Sequence, residues 1–335
     1  MTGLERYRAM LAGQTVDLSP RIPILMRFAA QHVGASYADF CTDWRVKSQA
    51  NIRCAEAFGL DLVGVMSDPF TEAADCGAEI RFHDDDTPEP VRLPLEHTKD
   101  LSVLPPAQPT SSPRMSNTLA TLRAYAERVG GRYTILGWVE GPLAEAADLR
   151  GVTQVMMDLY DDPGFLGELM DTCVDRAIAF ARAQIQAGAD TIGVGDALAS
   201  QISRQQYERH VLPREHRLMD ALRGMGAIVR LHICGDITHL LPAMAALPLD
   251  ILDVDWMVPI QRVRAVMPPG VALGCNVDPV AVVLRGSPAS IRAAVRACYE
   301  SVGDPFLVGA GCEIPPGTPP ANLLALCQPI TPPGA

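Results

Sequence analysis

The sequence predicts a (β/α)8 barrel, and three observations carry that prediction. Eight short, near-continuous apolar runs are spread along the 335 residues. Runs without polar alternation mark parallel strands covered on both faces. Stretches of helical periodicity separate most of them, and strand–helix repetition at this length is the barrel pattern. An open doubly wound sheet is the weaker alternative, because no G-x-G-x-x-G follows the first run.

In chain order the expected strands are IPILM (22–26), LVGVMSD (62–68), TILGWVEG (134–141) and TIGVGDA (191–197). They continue with AIVRLHICGD (227–236), ILDVDWM (251–257), VALGCNVDP (271–279) and PFLVGAGCEI (305–314). The helices between them include DPGFLGELMDTCVDRAIAFARAQIQAGAD, SRQQYERHVLPREHRLMDALRGMG and SPASIRAAVRACYESVG. These open on Asp or Ser caps and end in glycine-containing turns. The whole chain, 1–335, therefore reads as one barrel domain. Residues 83–115, rich in proline and acid and without a period, read as an excursion over the barrel mouth. The closing ITPPGA reads as a loose tail, and no repeat of solenoid period is present.

Acidic residues outnumber basic ones 39 to 28, for a net charge of -11, with no basic run. Nucleic-acid binding is not expected. No apolar run nears the roughly 20 residues that span a bilayer. Charges occupy the place of a signal peptide's apolar core, so a cytoplasmic protein is expected. Nine scattered cysteines in a chain with ample core read as reduced and mostly buried.

Polar residues gather where the expected strands end: Asp68, Glu140, Asp196, His232 with Cys234, Asp255, Asn276 with Asp278, and Cys312 with Glu313. In a barrel these face one end, the end that carries active sites. His232 and Cys234 are two apart, so on a strand they project to the same side. Cys312 ends the last strand and can reach them across the mouth. Three ligands with one position open is the arrangement of a catalytic zinc site. The same pattern also fits a core histidine beside a buried thiol. Cys275 reads as a packing residue or as support behind the ligands. Asp68 and Asp196 could instead cap the helices after their strands. His239, His210 and His216 read as helical residues, and no serine sits in a nucleophile elbow.

Two thiolates and an imidazole cancel much of the ion's charge and make it a poor activator of water. A substrate thiol in the open position would be held as thiolate and kept electron-rich. That suits attack of sulfur on an electrophilic carbon, of which methyl transfer is the simplest case.

The order of RIPILMRFAAQHVG, SDPFTEAADCGAEIRF, GWVEGPLAEAADLRG, ADTIGVGDALAS, LHICGD and GCNVDPVAVVLRG resembles the uroporphyrinogen decarboxylase superfamily over nearly the whole chain. HICGD and GAGCEIPPGTPPANL are similar to its branch of zinc-dependent corrinoid methyltransferases. The resemblance implies a zinc held by His232, Cys234 and Cys312. It implies methyl transfer between methylcobalamin on a partner corrinoid protein and a thiol or tetrahydrofolate-type acceptor. Glu140, Asp196 and Asp255 are then expected to position the acceptor or its proton, and Asp68, Asn276 and Asp278 to meet the cofactor at the mouth. A homodimer is compatible with this reading. Decarboxylases of the superfamily hold no metal and open on an arginine-rich segment, of which this chain keeps Arg27 alone. The alternatives are such a metal-free decarboxylase, a non-catalytic corrinoid- or tetrapyrrole-binding barrel, and a zinc hydrolase.

Overall fold

The computed structural model describes residues 1–332. Seven parallel strands form one curled sheet in the order β1 (Leu62–Gly64), β4 (Thr134–Glu140), β5 (Thr191–Gly195), β6 (Ile228–Ile233), β7 (Ile251–Val254), β8 (Ala272–Gly274), β9 (Phe306–Leu307). A separate antiparallel hairpin, β2 (Glu79–Arg81) with β3 (Glu89–Arg92), lies between β1 and β4 in the chain.

The eighth place in the ring is taken by residues 20–24, and here the sequence expectation is corrected. This segment makes a single parallel bridge, Arg21 to Val308, and not a strand over 22–26. It still joins both edges of the sheet. The Ile22 N–H donates to the Val308 carbonyl and the Val308 N–H to that of Pro20. On the other side the Asp61 N–H donates to the Arg21 carbonyl. Pro20 and Pro23 have no N–H to give a ladder, and Met26 already opens the helix Met26–His32.

Strand alternation divides the core in two. Val63, Ile135, Val139, Ile192, Val194, Val229, Leu231, Ile233, Leu252 and Val254 pack outward beneath the helices. Leu62, Leu136, Ile251, Ala272 and Leu307 point inward, where Tyr7 and Met10 of the N-terminal helix Gly3–Leu11 close the amino end of the barrel. A buried aliphatic side chain of this kind contributes about 1.5–3 kcal/mol. The long helices match expectation: Pro163–Gln186, Leu212–Gly224 and Pro288–Val302. Gly188, Gly226 and Gly303 follow them at positive φ.

The 83–115 stretch is more ordered than its composition suggests. It contributes β3, and its last three residues begin the helix Pro113–Val129. Between these it is pinned along the outer helices, where Arg150 donates to the Leu95 carbonyl and Arg176 to that of Pro105. Its acidic tip reaches the mouth, where Asp86 pairs with Arg27 at 3.2 Å. The start of the expected tail is also held: Ile330 is buried and its carbonyl accepts the Ser19 N–H. The end of ITPPGA, 333–335, lies outside the described residues.

Candidate metal centre

On β6 the alternation places Val229, Leu231 and Ile233 against the helices, and Arg230 and His232 inside the barrel. The strand ends after Ile233, and Cys234 continues the inward row. Gly235 then turns the chain at φ 88°, a conformation that a side chain at Cβ disfavours. Cys312 arrives on the loop after β9.

These two distant stretches meet. His232 Nε2 lies 3.2 Å from Cys234 Sγ, Cys234 Sγ lies 3.6 Å from Cys312 Sγ, and Cys312 Sγ lies 4.0 Å from His232 Nε2. A tetrahedral zinc with ordinary bond lengths needs edges of about 3.6 Å between nitrogen and sulfur and about 3.8 Å between sulfurs. The triangle is that size. No other group of three His, Cys, Asp or Glu donors converges in this way among the described residues. The remaining seven cysteines are buried, and only Cys234 and Cys312 are part-exposed.

A second observation fits a metal. His232 Nδ1 is buried without a hydrogen-bond partner and lies 4.0 Å from Asp253 Oδ2. A ligating imidazole is ordinarily oriented by a carboxylate at its other nitrogen. Asp253 is itself held by Arg230 in the barrel interior. The two thiols are shifted in opposite directions. A hydrogen bond from Cys234, with help from the His232 ring, holds Cys312 down to about 4 against the effect of burial. The same contact and burial push the Cys234 thiol up.

Beside the three donors lies a cavity of about 150 Å³ lined mainly by apolar groups, including Ile24, Met26, Met66, Pro69 and Trp138. Trp138 escaped the sequence reading. Its indole lies across β5, because a Cβ at Gly193 would collide with the ring and one at Gly195 would come within 2.7 Å of it. Its Nε1 donates to Glu140 Oε1 at 2.9 Å. The available signal was the alternation itself: Trp138 and Glu140 two apart on one strand, and two glycines two apart on the next.

The expected acids fare differently. Glu140 lines the cavity as expected, and burial, with Glu72 behind it, raises its carboxyl well above the ordinary value. Asp68 also lines it, tied to Arg114 at 2.5 Å and to the Ser67 hydroxyl. Burial works against its charge, but Arg114 and Lys47 outweigh burial and hold it below the usual range.

Asp196 is corrected. It is fully buried and accepts from the Leu143 and Ala144 N–H groups. It thus caps the helix Pro142–Arg150 of the preceding unit instead of the one after its own strand. Asp255 accepts from Gly235 N at 3.0 Å and Met257 N at 3.1 Å, so it tethers the loop that carries Cys234. Asn276 donates to the Asp255 and Val258 carbonyls, and Asp278 caps the turn after β8 through Val280 N and Ala281 N. Neither lines the cavity. His239 lies in a turn, not a helix, with Nε2 2.8 Å from the Ile202 carbonyl.

The chain is thus a (β/α)8 barrel in which a His-x-Cys pair and a distant cysteine, three metal-capable donors, converge at the carboxyl end. The chain belongs to the uroporphyrinogen decarboxylase (URO-D) family, whose model matches residues 2–331. It is 28% identical to the methylcobamide:CoM methyltransferase MtbA of Methanosarcina mazei, across 98% of this chain and 97% of that one. It is 26% identical to a uroporphyrinogen decarboxylase of Syntrophotalea carbinolica over 87% of this chain and 84% of that one. Among solved structures, a methyltransferase from Methanosarcina mazei superposes with a TM-score of 0.89 at 25% identity, covering 97% of both chains. A B12-independent methionine synthase from Shewanella shares the fold, with a TM-score of 0.62, 13% identity and coverage of 93% of this chain and 96% of that one. No helix among the described residues is long and apolar enough to cross a membrane.

Proposed function

We propose that the chain, acting as one barrel domain over 1–335, is a corrinoid-dependent methyltransferase with a zinc ion held by His232, Cys234 and Cys312. The convergence of those three donors beside an apolar cavity carries the reading. The ion, when bound, supplies a fourth position in which a sulfur ligand stays deprotonated at neutral pH. The acceptor is then a thiol in preference to a tetrahydrofolate-type amine. The overall change is RSH plus methyl–Co(III) giving RSCH3, Co(I) and a proton. The methyl–cobalt bond breaks with both electrons staying on cobalt as the sulfur–carbon bond forms.

The chain's own residues supply the setting. Ile24, Met26, Met66, Pro69 and Trp138 exclude water from the reacting sulfur. Glu140 faces the same cavity and holds the Trp138 indole in place through its Oε1. Asp255 fixes the loop of Cys234. The corrinoid arrives on a partner protein at the open carboxyl end of the barrel. The decarboxylase named among the relatives acts on a polycarboxylate, and this cavity has no Lys or Arg among its lining residues to meet one.

The test is metal content of the parent beside His232→Ala and Cys312→Ser, followed by methylcobalamin demethylation with a thiol panel. About one zinc per chain in the parent, lost in both variants, with circular dichroism unchanged, is expected of a catalytic site. A parent that stays zinc-free after metal-replete preparation overturns the proposal.

A further inference from the structure

Resting on the zinc part of that reading, the ligand sulfurs carry a second chemistry of their own. Cys234 Sγ and Cys312 Sγ stand 3.6 Å apart, and both residues line the cavity at the open end of the barrel. Of the nine cysteines they alone are part-exposed. Among the other seven, Cys298 is the least buried, at 9% exposed, and its sulfur faces Asn276 Oδ1 at 3.8 Å. A reagent in solution therefore reaches Cys234 and Cys312 first. A disulfide bond is about 2.05 Å long, which leaves a gap of about 1.5 Å for the two sulfurs to close between them. The backbones on either side are held: Gly235 N by Asp255, Gly311 N by the Val277 carbonyl and Ile314 N by that of Ile24. Rotation about the two Cα–Cβ bonds supplies the movement.

We infer that Cys234 and Cys312 are a redox pair, which a hydroperoxide such as H2O2 closes into a disulfide in the metal-free chain. One thiolate attacks the peroxide: a sulfur–oxygen bond forms as the O–O bond breaks, and the released hydroxide takes a proton and leaves as water. The second thiolate then attacks that sulfur, the sulfur–oxygen bond breaks, and a second water departs. The two thiols give up two electrons, and the peroxide is reduced to two waters. H2O2 is small and uncharged, so a mainly apolar cavity of about 150 Å³ admits it. Bridged sulfurs are no longer thiolates, the form that binds metal, and His232 is left as the one donor of the three. With zinc bound, the lone pairs of both sulfurs are engaged and the bridge does not form. A small thiol entering by the same mouth reverses the bridge by exchange, two RSH becoming RSSR as both cysteines regain their protons. The class of molecule proposed as methyl acceptor thus also reopens the site.

The experiment uses the full chain, reduced and stripped of metal by a chelator, beside the same chain loaded with zinc. Both are exposed to H2O2 and read by intact mass, thiol titration after denaturation, and tryptic mapping. The metal-free chain should lose two of its nine thiols and two hydrogens in mass, with the peptides bearing Cys234 and Cys312 joined. Cys312→Ser should show no join, which separates this bridge from any made by Cys298 or Cys327 on the same peptide. The zinc-loaded chain should keep its thiols under the same dose. Treating the joined chain with 2-mercaptoethanol should restore both thiols and raise zinc uptake from near none to about one per chain. Oxygen added without a join, a join that survives in Cys312→Ser, or equal oxidation with zinc bound overturns the inference. So does a joined chain that still takes up zinc, or one that the thiol does not open. Each of these leaves the methyltransferase reading standing. A reduced chain that takes up no zinc overturns the zinc reading and the redox pair's control of it together.

Discussion

Replacing Asp255 with alanine separates two roles for that residue. Its carboxylate accepts two backbone N–H groups, from Gly235 at 3.0 Å and Met257 at 3.1 Å, and is nearly buried. Hydrogen bonds to a charged group contribute about 1.5–3 kcal/mol each when buried. Gly235 and Met257 are partly open to water, which can replace some of that. The net destabilisation is therefore expected at about 2–4 kcal/mol, read from urea unfolding of the metal-free protein. The larger consequence is at the metal. Gly235 directly follows Cys234, so a freed loop no longer presents that sulfur 3.6 Å from Cys312. Loss of a residue that orients a ligand typically costs 10–100-fold in metal affinity, measurable by competition with a chromophoric chelator. If Asp255→Ala keeps parental zinc affinity and loses only kcat, the carboxylate acts on the acceptor, and the tethering role is refuted.

Two further perturbations test other parts of the site. Gly193→Ala drives a methyl group into the Trp138 ring, so the indole must leave its place and give up Glu140. A loss of about 1–3 kcal/mol in stability, usual for overpacking, should come with weaker thiol binding; parental values for both would mean that the indole is not confined by β5. For Glu72, burial pushes the carboxyl from the ordinary 4.5 to about 7, partly offset by the Glu140 N–H. An acid whose folded-state value is raised stabilises fully below its unfolded value and loses that contribution as pH rises through about 7. Glu72→Gln should therefore be more stable than the parent at pH 8 by about 2–3 kcal/mol and should lose that advantage near pH 4. Parallel stability–pH curves for the two proteins would contradict this.

The pairing of His232 with Cys234 was legible in the sequence because strand geometry is periodic: residues two apart share a side wherever the strand lies. Their meeting with Cys312 followed from the barrel, which brings the ends of distant strands to one mouth. The fold was legible for a similar reason, since apolar runs covered on both faces have few other uses. Asp196, Asp255, Asn276 and Asp278 were not legible. A polar residue at a strand end can turn toward the mouth or fold back onto nearby N–H groups, and the choice depends on neighbouring units that local sequence does not display. Trp138 depends on register between β4 and β5, which sets glycines beneath its ring. The first strand failed on chemistry that was visible: two prolines three apart, at 20 and 23, leave too few donors for a ladder.

The join between residues 20–24 and β9 has a consequence in time. Ile24 and Met26, from one side of that join, wall the same cavity as Cys312 and Glu313 from the other, and the Ile314 N–H donates to the Ile24 carbonyl across it. On the ribosome, where synthesis proceeds at about 5–20 residues per second, His232 and Cys234 emerge well before their third partner. A nascent chain carries two donors, too few for a tight centre, and acquires the third only when its last strand docks beside its first segment. Under the proposed zinc site, metal loading would therefore report finished synthesis, since a chain stalled before Cys312 lacks the third donor.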